Sequence, residues 1–511
     1  MPSTLKTPGV YIEEINAFPG SAVAVDTALP VFIGYTEKAD RKGKSLIGVP
    51  TRVTSFAEYV ELFGQGFNHR FNITKSGAAA PPDKKAAADA KAPAASTGDQ
   101  FKINGENYNI TIKNSFYFYN SIRLFYQNGG SNCYIMAIGT YGNNPAAEVK
   151  LEDFNESVFK TLEKEFEPTL VVMPDIVSKG SACYSKYLDV LKHCNQTQSR
   201  FGIFDVVMEA DTPEGDILKF RTEIGTSFLN YGAAYYPWLK TSVVASSELS
   251  FENLDAAVKL GDLLPEADAK SVLDKMKELA DEKKSDEDKK TLKTSIHQSL
   301  LAVSPSYGQI MEELRSKLNL LPPSGAMAGI YTLIDNSRGV WKSPANVSLA
   351  YVNAPSLNIS HGQQENMNVD AISGKSINII RPFPGIGTLV WGARTLDGNS
   401  QDWRYINVRR TMIMIEQSLK LACRAYVFEP NDSGTWVTLR SMINNFLFNL
   451  WKMGALAGAA PEQAYDVQVG LGSTMTPTDI LDGILRISVK VAVVRPAEFI
   501  VITFQQLQQQ S

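Results

Sequence analysis

His361, in the stretch SHGQQENMN, is the histidine whose polar neighbours come nearest to an acid–base setting, because a general base needs a group titrating near neutrality with hydrogen-bonding company. His69, His193 and His297 are scattered, and a lone histidine beside amides is equally well explained as a loop or interface residue. Lys192-His193-Cys194 carries an adjacent His/Cys pair, but no second pair completes four ligands, so no metal is expected there. The glycine stretches GIGTLVWG and GLGSTMTPTD lack both the GxxxxGK[ST] order and the GxGxxG spacing. They read as turns. Neither a GxSxG elbow, nor HExxH, nor paired CxxC motifs occur. Carboxylates are plentiful, yet an acid/base pair is defined by its separation in space. No catalytic, cofactor-binding or metal-ligating residue is expected, and no cofactor.

The elements that would position such groups belong to a chain of 511 residues, too long for one ordinary core, so two to four domains are expected. The formal net charge of −4 gives no basic footprint for nucleic acid. The opening MPSTLKTPGV has neither a basic nor an apolar leader region, and no run approaches the roughly 18 apolar residues of a spanning helix. The expectation is a protein made in the cytoplasm, with no direct membrane insertion. Cys133, Cys183, Cys194 and Cys423 are thinly spread in apolar or helical contexts, which suits buried free thiols rather than a disulfide framework.

Along the chain, residues 1–20 read as an extended arm with a short strand from Val10 to Ile15 between two Pro-Gly turns. A body follows: a buried strand within 22–36, a helix capped by Ser55 and stopped at Gly64, a helix ending at Asn128-Gly129-Gly130, and a strand from Cys133. Strand and helix patterns then alternate through 169–239, the signature of an α/β layer with a largely parallel sheet. Residues 77–100 are Ala/Lys/Pro/Asp-rich without an aromatic or branched aliphatic residue, and read as a disordered insertion. Residues 250–320 mix both charge signs and read as a solvated helical insertion. In the last third, two long helical patterns meet near Glu429-Pro430-Asn431-Asp432. The second carries a stripe of Trp436, Leu439, Ile443, Phe446, Leu447 and Leu450. Strands follow at 465–469 and, after Asp482-Gly483, in LRISVKVAVVRPAEFIVITF. In LPPSGAMAGIYTLIDNSRGVWKSPAN, Pro322 and Pro323 stop a helix, Ala326, Ala328 and Gly329 suit close helix packing, and Ser343-Pro344 forces extension, which on its own reads as a domain junction.

Six collinear stretches together resemble the contractile tail sheath family of phage tails and phage-tail-like injection machines. They are TPGVYIEE, SIRLFYQNGGSNCYIMAIG, TLVVMPD with AAYYPWL, the 321–346 run just quoted, GIGTLVWGARTL, and WRYINVRRTMIMIEQSL with FEPND. The resemblance implies an α/β outer body at 21–350, an inner, tube-facing α+β domain at 351–490, and extended arms at 1–20 and 491–511. It places the junction between body and inner domain at the 321–346 run. It also implies that the arms are donated to neighbouring copies by β-strand addition, through Val10, Tyr11, Ile12 and Ile15 at one end and Phe499, Ile500, Val501 and Ile502 at the other. An arm of about 20 residues reaches at most roughly 65–70 Å, enough to enter another copy.

The implied work is structural. A helical homo-polymer assembles around an inner tube in a metastable extended state and contracts without a nucleotide, with baseplate and tail terminator proteins as further partners and an assembled, released particle as the location. Tube contact should be light and charged, and Arg409, Arg410 and Lys420 are the expected tube-facing residues, with a solvated helix face as the plain alternative. Two other readings stay open: a cytoplasmic α/β enzyme acting near His361, and a minor sheath paralogue capping the baseplate or tail end.

Overall fold

Strands such as PVFIGYT, FGIFD and GAAYY bury every residue, which requires cover on both faces and is met by a parallel sheet with helices on each side. A computed structural model describes residues 22–75, 100–103, 105–280 and 285–503. Its main sheet runs in the order Gly387–Trp391, Asn378–Phe383, Gly232–Tyr236, Phe201–Asp205, Leu170–Val172, Pro30–Thr36, Cys133–Thr140 and Thr51–Val53. The inner six strands pair in parallel, and the two edge strands are antiparallel. The chain divides into two compact units. The body comprises Asp26–Arg410 with the chain from Glu498 onward; the C-terminal unit comprises Thr411–Ala497 with the chain up to Val25.

One face of the body's sheet presents Phe32, Ile135, Ala137, Leu170, Val172, Phe201, Ile203, Ala233 and Tyr235 to the helices Phe118–Gln127 and Ser324–Arg338. On the other, the helix Tyr184–Thr197 lays Tyr187 against Phe204, ring centroids 4.5 Å apart. The two helices of the first face press together because two glycines allow it: a Cβ on Gly325 would lie 2.6 Å from the Ser121 carbonyl oxygen, and one on Gly329 2.6 Å from that of Phe125. Both helix starts are fixed by buried aspartates at strand ends. Asp175 accepts from the backbone N–H groups of Tyr35 (2.9 Å), Tyr117 and Phe118 (both 2.8 Å), and Asp205 accepts from that of Ser324 (2.7 Å). A carboxylate at a helix N-terminus satisfies orphan donors and complements the helix dipole. Burial nevertheless pushes Asp175 up to about 6 and Asp205 up to about 7.

The Ser324–Arg338 helix is therefore a central core element, and the expectation of a domain junction there is corrected: its small residues serve helix-on-helix contact inside the body. The expected boundary at 350 moves for a related reason. Strand Asn378–Phe383 pairs in parallel with Gly232–Tyr236, so residues 351–410 complete the body's sheet, and the units divide within the helix Ile406–Cys423.

The 250–320 region is helical as expected, but it is not merely solvated. The helices Ala267–Asp274, Asp286–Val303 and Pro305–Leu318 share a second core with a three-stranded antiparallel sheet of Phe71–Lys75, Glu106–Ile112 and Gln100–Ile103. Phe71, Ile110, Leu264, Ile296, Leu300, Tyr307, Ile310 and Leu314 fill it. Charge stays on the outer faces, so the sequence pattern hid the inner ones. Most of the 77–100 segment lies outside the described residues.

In the C-terminal unit, helix Ser433–Lys452 buries Leu439, Met442, Ile443, Phe446, Leu447 and Leu450 and packs on strand Tyr465–Val469. Among the described residues that strand pairs only with Ile487–Val491, antiparallel. Pairing within the unit continues to Val494, whose N–H donates to the Ala455 carbonyl. Residues 491–494, expected in the arm, thus pair within the C-terminal unit, and residues 498–503, expected as a second terminal strand, form none.

The close helix contact makes an opposed pair of outcomes. Gly329→Ala should lower the unfolding free energy by about 1–3 kcal/mol through overpacking. Gly308→Ala, whose Cβ meets open space on the Pro305–Leu318 helix, should raise it by about 0.5–1 kcal/mol. Urea melts of the two variants check both signs.

Candidate functional site

The chain passes between its two units at three places, after Val25, Arg410 and Ala497. On the body side of each stands a residue held by a buried polar anchor. Asp335, in the last turn of the Ser324–Arg338 helix, meets Arg410 in a two-pronged pair, with Nη1 to Oδ1 at 3.0 Å and Nη2 to Oδ2 at 2.6 Å. Both side chains are 3% exposed. Thr27 joins the same node: its hydroxyl donates to Asp335 Oδ2 (2.6 Å) and its carbonyl accepts from Arg410 Nη2 (3.0 Å). The guanidinium also lies over the Tyr331 ring at 4.6 Å. The fork of an arginine matches a carboxylate in this way, and filling every donor is what makes a buried ion pair tolerable.

The second anchor takes Glu498. Arg394 Nε donates to Oε1 (2.9 Å) and Oε2 (3.1 Å), and its Nη2 to Oε2 (2.7 Å). Asn368 Nδ2 donates to Oε1 at 2.8 Å, and the Tyr405 hydroxyl to Oε2 at 3.0 Å. Burial would raise the Glu498 carboxyl, but the hydrogen bonds from Arg394 and Asn368 outweigh it and hold it below the usual carboxylate range. Arg394 is itself fixed: its backbone N–H donates to Asn378 Oδ1 (2.8 Å), Asn378 Nδ2 returns to its carbonyl (2.8 Å), and Nη1 donates to the Gly398 carbonyl (3.1 Å). Immediately beyond Glu498 the character reverses. Phe499, Ile500, Val501 and Ile502 are 69%, 79%, 89% and 70% exposed. Those four are the exposed apolar residues the sequence singled out; Val10, Tyr11, Ile12 and Ile15 lie outside the described residues.

The three expected tube-facing cations part company. Arg409 and Arg410 are buried, 4% exposed each, which corrects their reading as surface charges. Arg409 is stacked between the Tyr231 and Trp403 rings, at 4.3 and 4.6 Å, and donates to the Tyr231 hydroxyl (2.8 Å). On an amphipathic helix the sequence shows charge but not the aromatic rings that will cover it. Lys420 is exposed.

The residues considered for chemistry are not brought together. His361 sits at the exposed start of the His361–Asn368 helix and reaches Glu365 at 3.5 Å. His193 is buried against Arg200, whose other donors go to the Pro168, Leu162 and Glu165 carbonyls. Burial, and then the Arg200 charge, push His193 down to about 3. A cleft of about 310 Å³ lies beside His69, Asn120, Glu248 and Asn253. His69 there accepts from the Phe116 N–H (3.3 Å), and burial pushes it down to about 4. Cys133, Cys183 and Cys194 are buried and free, and Cys423 is half-buried and free. No helix among the described residues is long and apolar enough to cross a membrane.

Sequence reading missed Asp335, Arg394 and Glu498 as anchors. A signal was present: each is an isolated charge in an apolar run, IYTLID, VWGAR and AEFIVITF.

Residues 399–506 match the family model described as the phage tail sheath C-terminal domain. The tail sheath protein of Vibrio phage KVP40 is 24% identical over 183 residues, 35% of this chain. That stretch spans 25% of the phage protein's length, so the chain matches about a quarter of this curated relative. Among solved structures, the sheath of PVC, an extracellular contractile injection system in its contracted state, is 27% identical with a TM-score of 0.60 and covers 99% of both chains. The helical sheath of the anti-feeding prophage in its contracted state is 28% identical with a TM-score of 0.60, covering 98% of this chain and 100% of that one.

The Asp335 node has a measurable weight. Asp335→Ala leaves Arg410 buried without its counter-charge and should cost about 3–5 kcal/mol of stability, whereas the paired change Asp335→Leu with Arg410→Met should cost clearly less. Urea midpoints of the single and double variants distinguish the two.

Proposed function

We propose that this chain is a member of the contractile tail sheath family and works as a structural subunit that polymerises helically around an inner tube and contracts from an extended state to drive that tube onward. The work is mechanical rather than catalytic, and the particle is a phage tail or phage-tail-like injection device. Its partners are further copies of itself, the tube protein, and the baseplate and terminator proteins at the ends.

The observation that carries this reading is the state of the C-terminal segment. Four consecutive apolar residues, Phe499–Ile502, stand exposed just after a firmly held glutamate. In the C-terminal unit, the strands Tyr465–Val469 and Ile487–Val491 pair, among the described residues, only with each other, a sheet size that is marginal alone. An exposed apolar segment and a short sheet with open edges are complementary requirements, and β-strand addition between copies meets both. At about 1 kcal/mol for each hydrogen bond, together with burial of a few aliphatic side chains, each joint would hold by several kcal/mol. Joints repeated around rings and along stacks would keep copies linked while the bodies repack.

Chains lacking residues 499–511, or residues 1–18, should keep the melting behaviour of the full chain yet form no long cylinders in negative-stain electron microscopy. Cylinders of normal length from both truncations would refute strand donation.

Of the three cations first assigned to the tube, Lys420 alone remains available, and we retain it as the tube-facing charge. Lys420→Glu should weaken co-sedimentation with purified tubes and make what remains less sensitive to salt. Unchanged co-sedimentation would remove Lys420 from that role.

A further inference from the structure

We infer that the Glu498 anchor is a clasp that fixes the root of the shared C-terminal segment, so that the pull of a second copy on residues beyond 498 is carried into the main sheet of the body. The inference rests on the strand-donation reading above and adds where the donated segment begins and where its load goes.

The boundary is abrupt. Glu498, whose side chain is 18% exposed, receives donors on both carboxylate oxygens from Arg394, Asn368 and Tyr405. One residue later the chain is 69% exposed and stays so through Ile502. An apolar run that merely frayed from its own body would loosen gradually. Here Glu498 has donors on both carboxylate oxygens, and the four apolar residues directly after it are exposed.

The receptor for Glu498 is built independently of it. Arg394 is locked by reciprocal hydrogen bonds with Asn378 and by the Gly398 carbonyl. Asn378 begins the strand Asn378–Phe383, whose Ile379 pairs with Tyr236 in the main sheet. Asn368 closes the His361–Asn368 helix, and its carbonyl accepts from the Ser376 hydroxyl (2.5 Å). Tension on residue 499 would thus pass through one carboxylate to an arginine fastened to the sheet. It would not pass through the two-stranded ribbon of the C-terminal unit, where hydrogen bonds peel one at a time. Charge-assisted, multiply donated hydrogen bonds suit that position, since each contributes more than a neutral one.

The test uses the full chain. Glu498→Gln keeps shape and some hydrogen bonding but removes the charge. In the unassembled protein, chymotrypsin cleavage after Phe499 requires local release of the flanking residues and reads the clasp directly. Cleavage should be about tenfold faster in Glu498→Gln, the equivalent of about 1.4 kcal/mol. Exchanging the charges, Glu498→Arg with Arg394→Glu, should recover part of the protection that either single change loses. In assembly, the Glu498→Gln chain should still form cylinders, but they should fragment under shear to lengths several-fold shorter than those of the parent. Parental cleavage rates together with parental cylinder lengths would overturn the clasp. The truncation lacking 499–511 is run beside it. Normal cylinders from that chain would count against strand donation itself, while the cleavage rates would still decide whether Glu498 is clasped.

Discussion

Burying a charge is tolerable only when its hydrogen-bonding directions are filled, and this chain accepts that constraint wherever segments distant in sequence must meet. Asp175 gathers Tyr35 and the start of the Phe118–Gln127 helix, Asp205 gathers the start of the Ser324–Arg338 helix, and Asp335 gathers Thr27 and Arg410. Glu498 gathers Arg394, Asn368 and Tyr405. Apolar packing supplies most of the driving force, but it is non-directional. The carboxylates supply direction: each has one arrangement in which it is satisfied, and neighbouring registers leave a bare charge.

Two kinds of contact divide the work in the body. Glycine-permitted approach between the Phe118–Gln127 and Ser324–Arg338 helices sets their spacing, and the strand-end aspartates set their position along the sheet. The remaining anchors stand at the chain's exits from that scaffold, beside Thr27, at Arg410 and at Glu498. On the strand-donation reading proposed above, a subunit that shifts against its neighbours without unravelling needs fixed departure points, because a wandering root would turn a defined tether into slack chain. The exits here are fixed by groups that cannot slide by one residue without stranding a charge.

Much of this was legible in the sequence, and the gaps have physical causes. The buried strands, the Ser55 cap, the stripe of the Ser433–Lys452 helix and the exposed apolar end were visible because each depends on local pattern or capping chemistry. The strand Asn378–Phe383 was missed as part of the body because its partner, Gly232–Tyr236, lies some 140 residues earlier, and register across such a gap leaves no local trace. Arg409 and Arg410 were misplaced because burial of a cation depends on Tyr231, Trp403, Tyr331 and Asp335, none of them on the same helix. Glu498, Asp335 and Arg394 are not legible as anchors, since an isolated charge in an apolar run signals a buried pair without naming its partner. The family resemblance implied a multidomain α/β chain with donated ends, but not these pairings.

The second core of the body has a consequence for how such a chain can change over evolutionary time. It is assembled from two separate excursions of the chain, the strands within 71–112 and the helices within 260–318, and Phe71, Phe101 and Ile110 from the first cover Leu264, Leu300 and Ile310 from the second. Neither excursion has an inside without the other. A lineage could not acquire or shed one of them by a single genetic event and stay soluble, so the two insertions should be inherited as a pair, present together or absent together, although nearly 150 residues of the common scaffold separate them.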